Sequence, residues 1–134
     1  MELYLYHTND PRPIPENNTA IPKEISRLVE IPDASVNKIT LAGSYFAGEE
    51  QLLGILKKIR HNGILIICGP DIFEISRSII SGYIDGKIVR EIIMPNELLY
   101  SLFELNEIFS KYEDFEIINK RINHYRYSLT VRRK

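Results

Sequence analysis

Chemistry in this chain would have to come from few residues: three histidines, one cysteine, and carboxylates scattered along 134 residues. His7 opens a polar run, His7-Thr8-Asn9-Asp10-Pro11, directly after the apolar stretch Leu3 to Tyr6. A loop leaving the carboxyl end of a strand is where open α/β sheets bind ligands, and an imidazole there has the pKa of a general base. The plainer reading is a surface turn, because Asn, Asp and Pro each favour turns. Asp33 also sits in a turn, Asp71 with Glu74 spells a D-x-x-E helix cap, and His61 belongs to a helix-ending turn. Cys68 closes the most hydrophobic run and reads as a small buried hydrophobe. Tyr125 and Tyr127, interleaved with arginines, could stack on nucleic acid, or be core and solvated face of one strand. No phosphate-binding loop, hydrolase elbow or metal-binding spacing is present, so neither catalytic nor metal residues are assigned.

The elements that position these residues follow from periodicity. Leu3 to Tyr6 reads as a buried strand, ended by a stretch with Pro11, Pro13 and Pro15. Ala20-Ile21 and Ile25 to Ile31 read as two short strands, and Val36 to Ala42 as a central one. From Glu49 the period becomes helical: Leu52, Ile55, Leu56 and Ile59 share a face, and His61-Asn62-Gly63 is a stop signal. Ile64 to Cys68 is a continuous apolar run, expected as a parallel strand covered on both faces. A second helix follows Asp71, with Ile72, Ile75, Ile79 and Tyr83 on one stripe. A third is expected to be capped by Asn96 and to bury Leu98, Leu102, Leu105 and Phe109. Tyr125 to Arg132 alternates as a half-buried strand, paired through Asn123-His124 with Phe115 to Ile118. Strand–helix alternation in the middle implies a parallel sheet, with an antiparallel hairpin at its end.

Composition fits one ordinary α/β domain over residues 1–134: 44% hydrophobic, 26% charged, formal net charge −1. That charge gives no overall pull toward nucleic acid or membranes, although Arg121, Arg126, Arg132, Arg133 and Lys134 make the C-terminal part basic. One cysteine excludes an intramolecular disulfide. No apolar run approaches a membrane span, and Met1-Glu2-Leu3-Tyr4 lacks the basic start of a secretory signal. The expected setting is the cytoplasm, or a virion or other assembly made there.

Three segments, Ile31 to Ile39, Leu52 to Asp71 and Phe115 to Arg133, resemble parts of small class I S-adenosylmethionine-dependent methyltransferases. Ile31-Pro32-Asp33-Ala34-Ser35-Val36-Asn37-Lys38-Ile39 resembles the segment entering their fourth strand. LLGILKKIRHNGILIICGPD, Leu52 to Asp71, is similar to their helix, Gly turn, fifth strand and Pro-Asp stop. FEIINKRINHYRYSLTVRR resembles their closing hairpin. The resemblance implies a Rossmann-like methyltransferase fold, mainly parallel and shortened in its N-terminal half. It also implies that a cofactor, if held, would meet His7, Thr8, Asn9 and Asp10 after the first strand. Glu24 would stand at the acid position ending the second strand, and Ala42, Gly43 and Ser44 in the loop after the fourth.

The chain departs from that family where the cofactor would lie. The family's first loop is G-x-G, because only glycine lets backbone approach the ligand so closely. Here it is His7-Thr8-Asn9-Asp10-Pro11, and the first glycine of the chain is Gly43. The loop Ala42-Gly43-Ser44-Tyr45-Phe46 also lacks the family's frequent His. The expectation is therefore a catalytically degenerate domain without cofactor. It would serve as a structural or interaction module, in a phage or multi-subunit assembly, through a protein partner or self-association. One alternative is an active S-adenosylmethionine-dependent enzyme on a small molecule, sugar or nucleobase. A second alternative is a nucleic-acid-binding accessory protein, which requires Arg121, Arg126 and Arg132 to share one exposed face.

Overall fold

The structure, a computed structural model, describes residues 1–6, 20–42, 49–82, 85, 87 and 101–134. Six strands form one sheet: β1 (Glu2–Tyr6), β2 (Ile21–Glu24), β3 (Val36–Ala42), β4 (Ile59–Pro70), β5 (Phe115–Asn123) and β6 (Arg126–Arg133). Their order across the sheet is β2-β1-β3-β4-β6-β5. β2, β1, β3 and β4 run parallel, while β6 is antiparallel to both of its neighbours. Helices α1 (Glu49–Lys58), α2 (Ile72–Ile80) and α3 (Leu102–Ser110) and a 3₁₀ helix, Ile25–Glu30, complete the described elements. This is the mainly parallel α/β fold with a C-terminal hairpin that the sequence implied.

Alternation decides which face is core. Leu3 and Leu5 of β1, Ile39 and Leu41 of β3, Leu65 and Ile67 of β4, and Leu129 and Val131 of β6 point the same way and are essentially inaccessible. Against them pack Leu52, Ile55 and Leu56 of α1 and Leu105, Ile108 and Phe109 of α3. The other face is different. Ile64, Ile66 and Cys68 are half-buried, as are Thr40, Ser128 and Thr130 beside them. The expectation that β4 is fully covered on both faces is therefore corrected. Its run of apolar residues hides a two-residue alternation that composition alone masks.

Several boundaries move for identifiable reasons. Ile25–Glu30 is a 3₁₀ helix, not a strand. Ile25, Leu28 and Ile31 recur every third residue, the period of that helix, and all three are buried. α1 stops at Lys58, before the His61-Asn62-Gly63 signal, because the turn from Pro32 to Ser35 takes its last carbonyls. The Ala34 amide donates to the Lys57 carbonyl at 2.9 Å and the Ser35 amide to that of Lys58 at 3.1 Å. Lys58 Nζ reaches Asp33 Oδ1 at 2.7 Å and holds that carboxyl below its ordinary pKa. The stop signal instead shapes a bulge in β4, where Asn62 adopts φ 63° and pairing with β3 jumps from Val36–Ile59 to Lys38–Ile64.

α3 is capped by Ser101, whose hydroxyl accepts from the Glu104 amide at 3.0 Å while Glu104 reaches back to the Ser101 amide. Asn96, the expected cap, and Leu98 lie outside the described residues. The hairpin is longer than expected, with β5 reaching Asn123 and His124 at φ 57° in the turn. α2 buries Ile75 and half-buries Ile72, but Ile79 is 46% exposed, so the expected stripe is only partly used. Tyr83 lies outside the described residues.

Candidate functional site

The strand order sets where a ligand can sit. From β1 the chain passes to β2 on one side, then returns to β3 on the other. β1 and β3 are therefore followed in sequence by strands on opposite sides, and the crevice between the carboxyl ends of two such strands is the usual ligand site of open α/β sheets. Leu5 pairs with Leu41, so Tyr6 and Ala42 end side by side at that edge. On the outer side Tyr6 pairs with Glu24, the last residue of β2.

Of the eight residues expected to meet a cofactor, Glu24 and Ala42 are described. Both lie at this edge, separated by β1. His7, Thr8, Asn9, Asp10, Gly43 and Ser44 lie outside the described residues. Glu24 is half-buried, and its Oε1 accepts from Ser26 Oγ at 2.7 Å. A carboxylate ending the second strand has the chemistry to accept ribose hydroxyls. Glu24 thus fits the group. The sequence that follows Tyr6 holds no glycine from His7 to Pro11, all of which lie outside the described residues.

The remaining candidates have structural work. Asp71 is 2% exposed and caps α2, its Oδ1 accepting from the amides of Phe73 at 2.9 Å and Glu74 at 3.1 Å. The reciprocal bond of a capping box is replaced, because the Asp71 amide donates to the Tyr125 carbonyl at 2.7 Å. Asp71 Oδ2 also accepts from the Leu102 amide at 2.7 Å, so one carboxylate joins the starts of α2 and α3. Local spacing could reveal only the first of these roles. Cys68 stands 3.7 Å from Ser128 Oγ, half-buried. Tyr127 is buried beside it, and burial pushes its phenol pKa up, which removes it as a base.

His61 Nδ1 contacts the Lys134 carbonyl at 2.6 Å, and His124 occupies the hairpin turn. Among the described residues no group of three or more His, Cys, Asp or Glu could hold a metal ion. No described helix is long and apolar enough to cross a membrane. Arg121, opposite Ser128, shares one sheet face with Arg126 and Arg132, as the nucleic-acid reading requires. Arg132, however, is bound by Glu116.

No family model and no curated protein matches the chain. Solved structures do. It superposes on an S-adenosylmethionine-dependent methyltransferase of Thermotoga maritima, described as a possible histamine N-methyltransferase, with TM-score 0.56, 12% identity and 86% of this chain covered. A methyltransferase of Archaeoglobus fulgidus gives 0.54, 12% and 88%, and one of Anabaena variabilis 0.51, 12% and 89%. The chain spans 64%, 70% and 61% of those three proteins respectively. At such identity the likeness is one of fold, and the fold is that of S-adenosylmethionine-dependent methyltransferases.

Proposed function

We propose that this chain is a methyltransferase-fold domain that has lost methyl transfer and acts as an interaction module, in a phage or multi-subunit assembly built in the cytoplasm. The observation that carries the reading is the exit from β1. By strand order the β1–β3 edge is where ligands of open α/β sheets usually bind, and the sequence after β1 reads His7-Thr8-Asn9-Asp10-Pro11. None of these residues is a glycine, the residue type that a close backbone approach to a ligand needs, and proline also lacks an amide donor. Methyl transfer depends on holding cofactor and acceptor in line, so a lost cradle removes more than any one side chain would. Exposed Phe73, Ile80 and Phe103 supply apolar surface for a partner or for self-association.

Calorimetric titration of the chain with S-adenosylmethionine and S-adenosylhomocysteine tests this. The expected result is no saturable heat up to ligand concentrations of about 1 mM, a threshold corresponding to only ~4 kcal/mol of binding. A saturable isotherm for either ligand overturns the reading. It would support the rival, an active methyltransferase on a small molecule, sugar or nucleobase, and one specific observation favours that rival. Glu24 ends β2 beside β1, where a ribose-binding acid belongs. In that case Glu24→Ala would weaken S-adenosylmethionine binding by at least about tenfold, the loss of one charge-assisted hydrogen bond.

A further inference from the structure

Because Asp71 accepts from amides of both helices, α2 and α3 start side by side, and β5 closes a third side. Between them is an open groove of about 370 Å³, within the ~300–1,000 Å³ of small-molecule sites. Phe73, Leu102, Phe103 and Ile122 form apolar walls, and Asn106 and Lys120 supply polar groups. Phe73, Phe103 and Ile122 are 61%, 65% and 48% exposed, large apolar groups gathered around one concavity.

The charges around the groove are unequal. Asp71 and Glu74 also line it, but both Asp71 oxygens are engaged by backbone amides, and Glu74 faces Arg77 at 3.6 Å. Lys120 makes no ion pair among the described residues. Its Nζ donates to Asn106 Oδ1 at 3.2 Å, which leaves the Asn106 NH₂ as a donor and leaves further ammonium N–H groups available. A cation and an amide donor thus stand together at the edge of aromatic walls.

The geometry points to a binding site for a small aromatic carboxylate, its ring between Phe73 and Phe103 and its carboxylate on Lys120 and Asn106. The Lys120 ammonium and the Asn106 amide select the carboxylate, and wall chemistry selects the ring. The site lies on β5, at the opposite side of the sheet from the β1–β3 crevice, so it stands whether or not a nucleoside cofactor is held.

The test is nuclear magnetic resonance titration of the ¹⁵N-labelled chain with phenylacetate, phenylacetamide and naphthylacetate. Expected are saturable shifts of the Asn106 side-chain amide with both carboxylates, and at least about tenfold weaker binding of phenylacetamide. Lys120→Gln and Lys120→Met should each weaken phenylacetate at least about tenfold and leave phenylacetamide unchanged. Phe103→Ala should weaken all three. These side chains are at the surface, and unchanged spectra away from the groove verify the fold of each variant. No saturable shift with either carboxylate overturns the assignment. Equal affinity for acid and amide, or indifference to both Lys120 variants, overturns it as well.

Discussion

Asp71 shows how one residue acquires a role that its neighbours in sequence do not announce. As an N-cap it satisfies two amides of α2, and through its other oxygen it satisfies the first amide of α3, 31 residues away. The negative charge also sits at the positive ends of two helices at once. Asp71→Ala would leave three amides without their acceptor at a position that is 2% exposed. Losing a cap costs about 1 kcal/mol, and an unmet buried amide a further ~1–3 kcal/mol, so a loss of about 2–4 kcal/mol is expected. Asp71→Asn keeps one acceptor oxygen and should cost less. Urea denaturation reads both as a lower midpoint with an unchanged slope. A midpoint for Asp71→Ala within error of the parent would mean that the carboxylate holds neither helix.

At the scale of elements, the bulge in β4 makes the sharpest demand on sequence. A Cβ on Gly63 would lie 2.6 Å from Ile59 Cγ2, 2.9 Å from the Arg60 carbonyl and 3.0 Å from the Asn37 carbonyl. Two of these atoms are backbone and cannot yield cheaply. Gly63→Ala should therefore destabilise the chain by about 1–3 kcal/mol, as overpacking does. Asn62→Gly, at φ 63°, should be close to neutral in the same thermal melts. If Gly63→Ala melts with the parent, β3 and β4 do not approach at this bulge. The pair also shows which elements sequence could reveal. His61-Asn62-Gly63 announces a chain reversal, but its purpose depends on Asn37 in another strand, which no local pattern contains. Asn96 was the cap expected for the third helix, whereas Ser101 with Glu104 forms the capping box of α3. Ile25 to Ile31 looked like a strand because β-branched composition drew attention from a three-residue period. α1, the alternation of β6 and the succession of strands and helices in the middle of the chain were legible because their patterns repeat over enough residues to outweigh local exceptions. Glu24 was legible as a candidate only through resemblance; its place beside Tyr6 needed the register of β1 and β2.

For the whole molecule, the question is whether the sheet face shared by Arg121, Arg126 and Arg132 is an electrostatic surface or a solvated one. Cross-strand register brings the three together, but Glu116 holds Arg132, and Glu2 lies in the same row through Lys38 and Ile64. With a formal net charge of −1, no long-range field adds to the two remaining arginines. Two phosphate contacts would give a salt slope of only about −2 in log K against log salt, far below that of dedicated DNA-binding proteins. The chain should therefore leave immobilised duplex DNA and single-stranded RNA below about 0.15 M salt, where screening already shortens electrostatic reach to ~8 Å. Arg121→Ala with Arg126→Ala should hardly change that elution. Retention past this point, steeply salt-dependent and lost in the double variant, would show that the face binds nucleic acid. The chain would then have a polynucleotide, not a protein, as its partner.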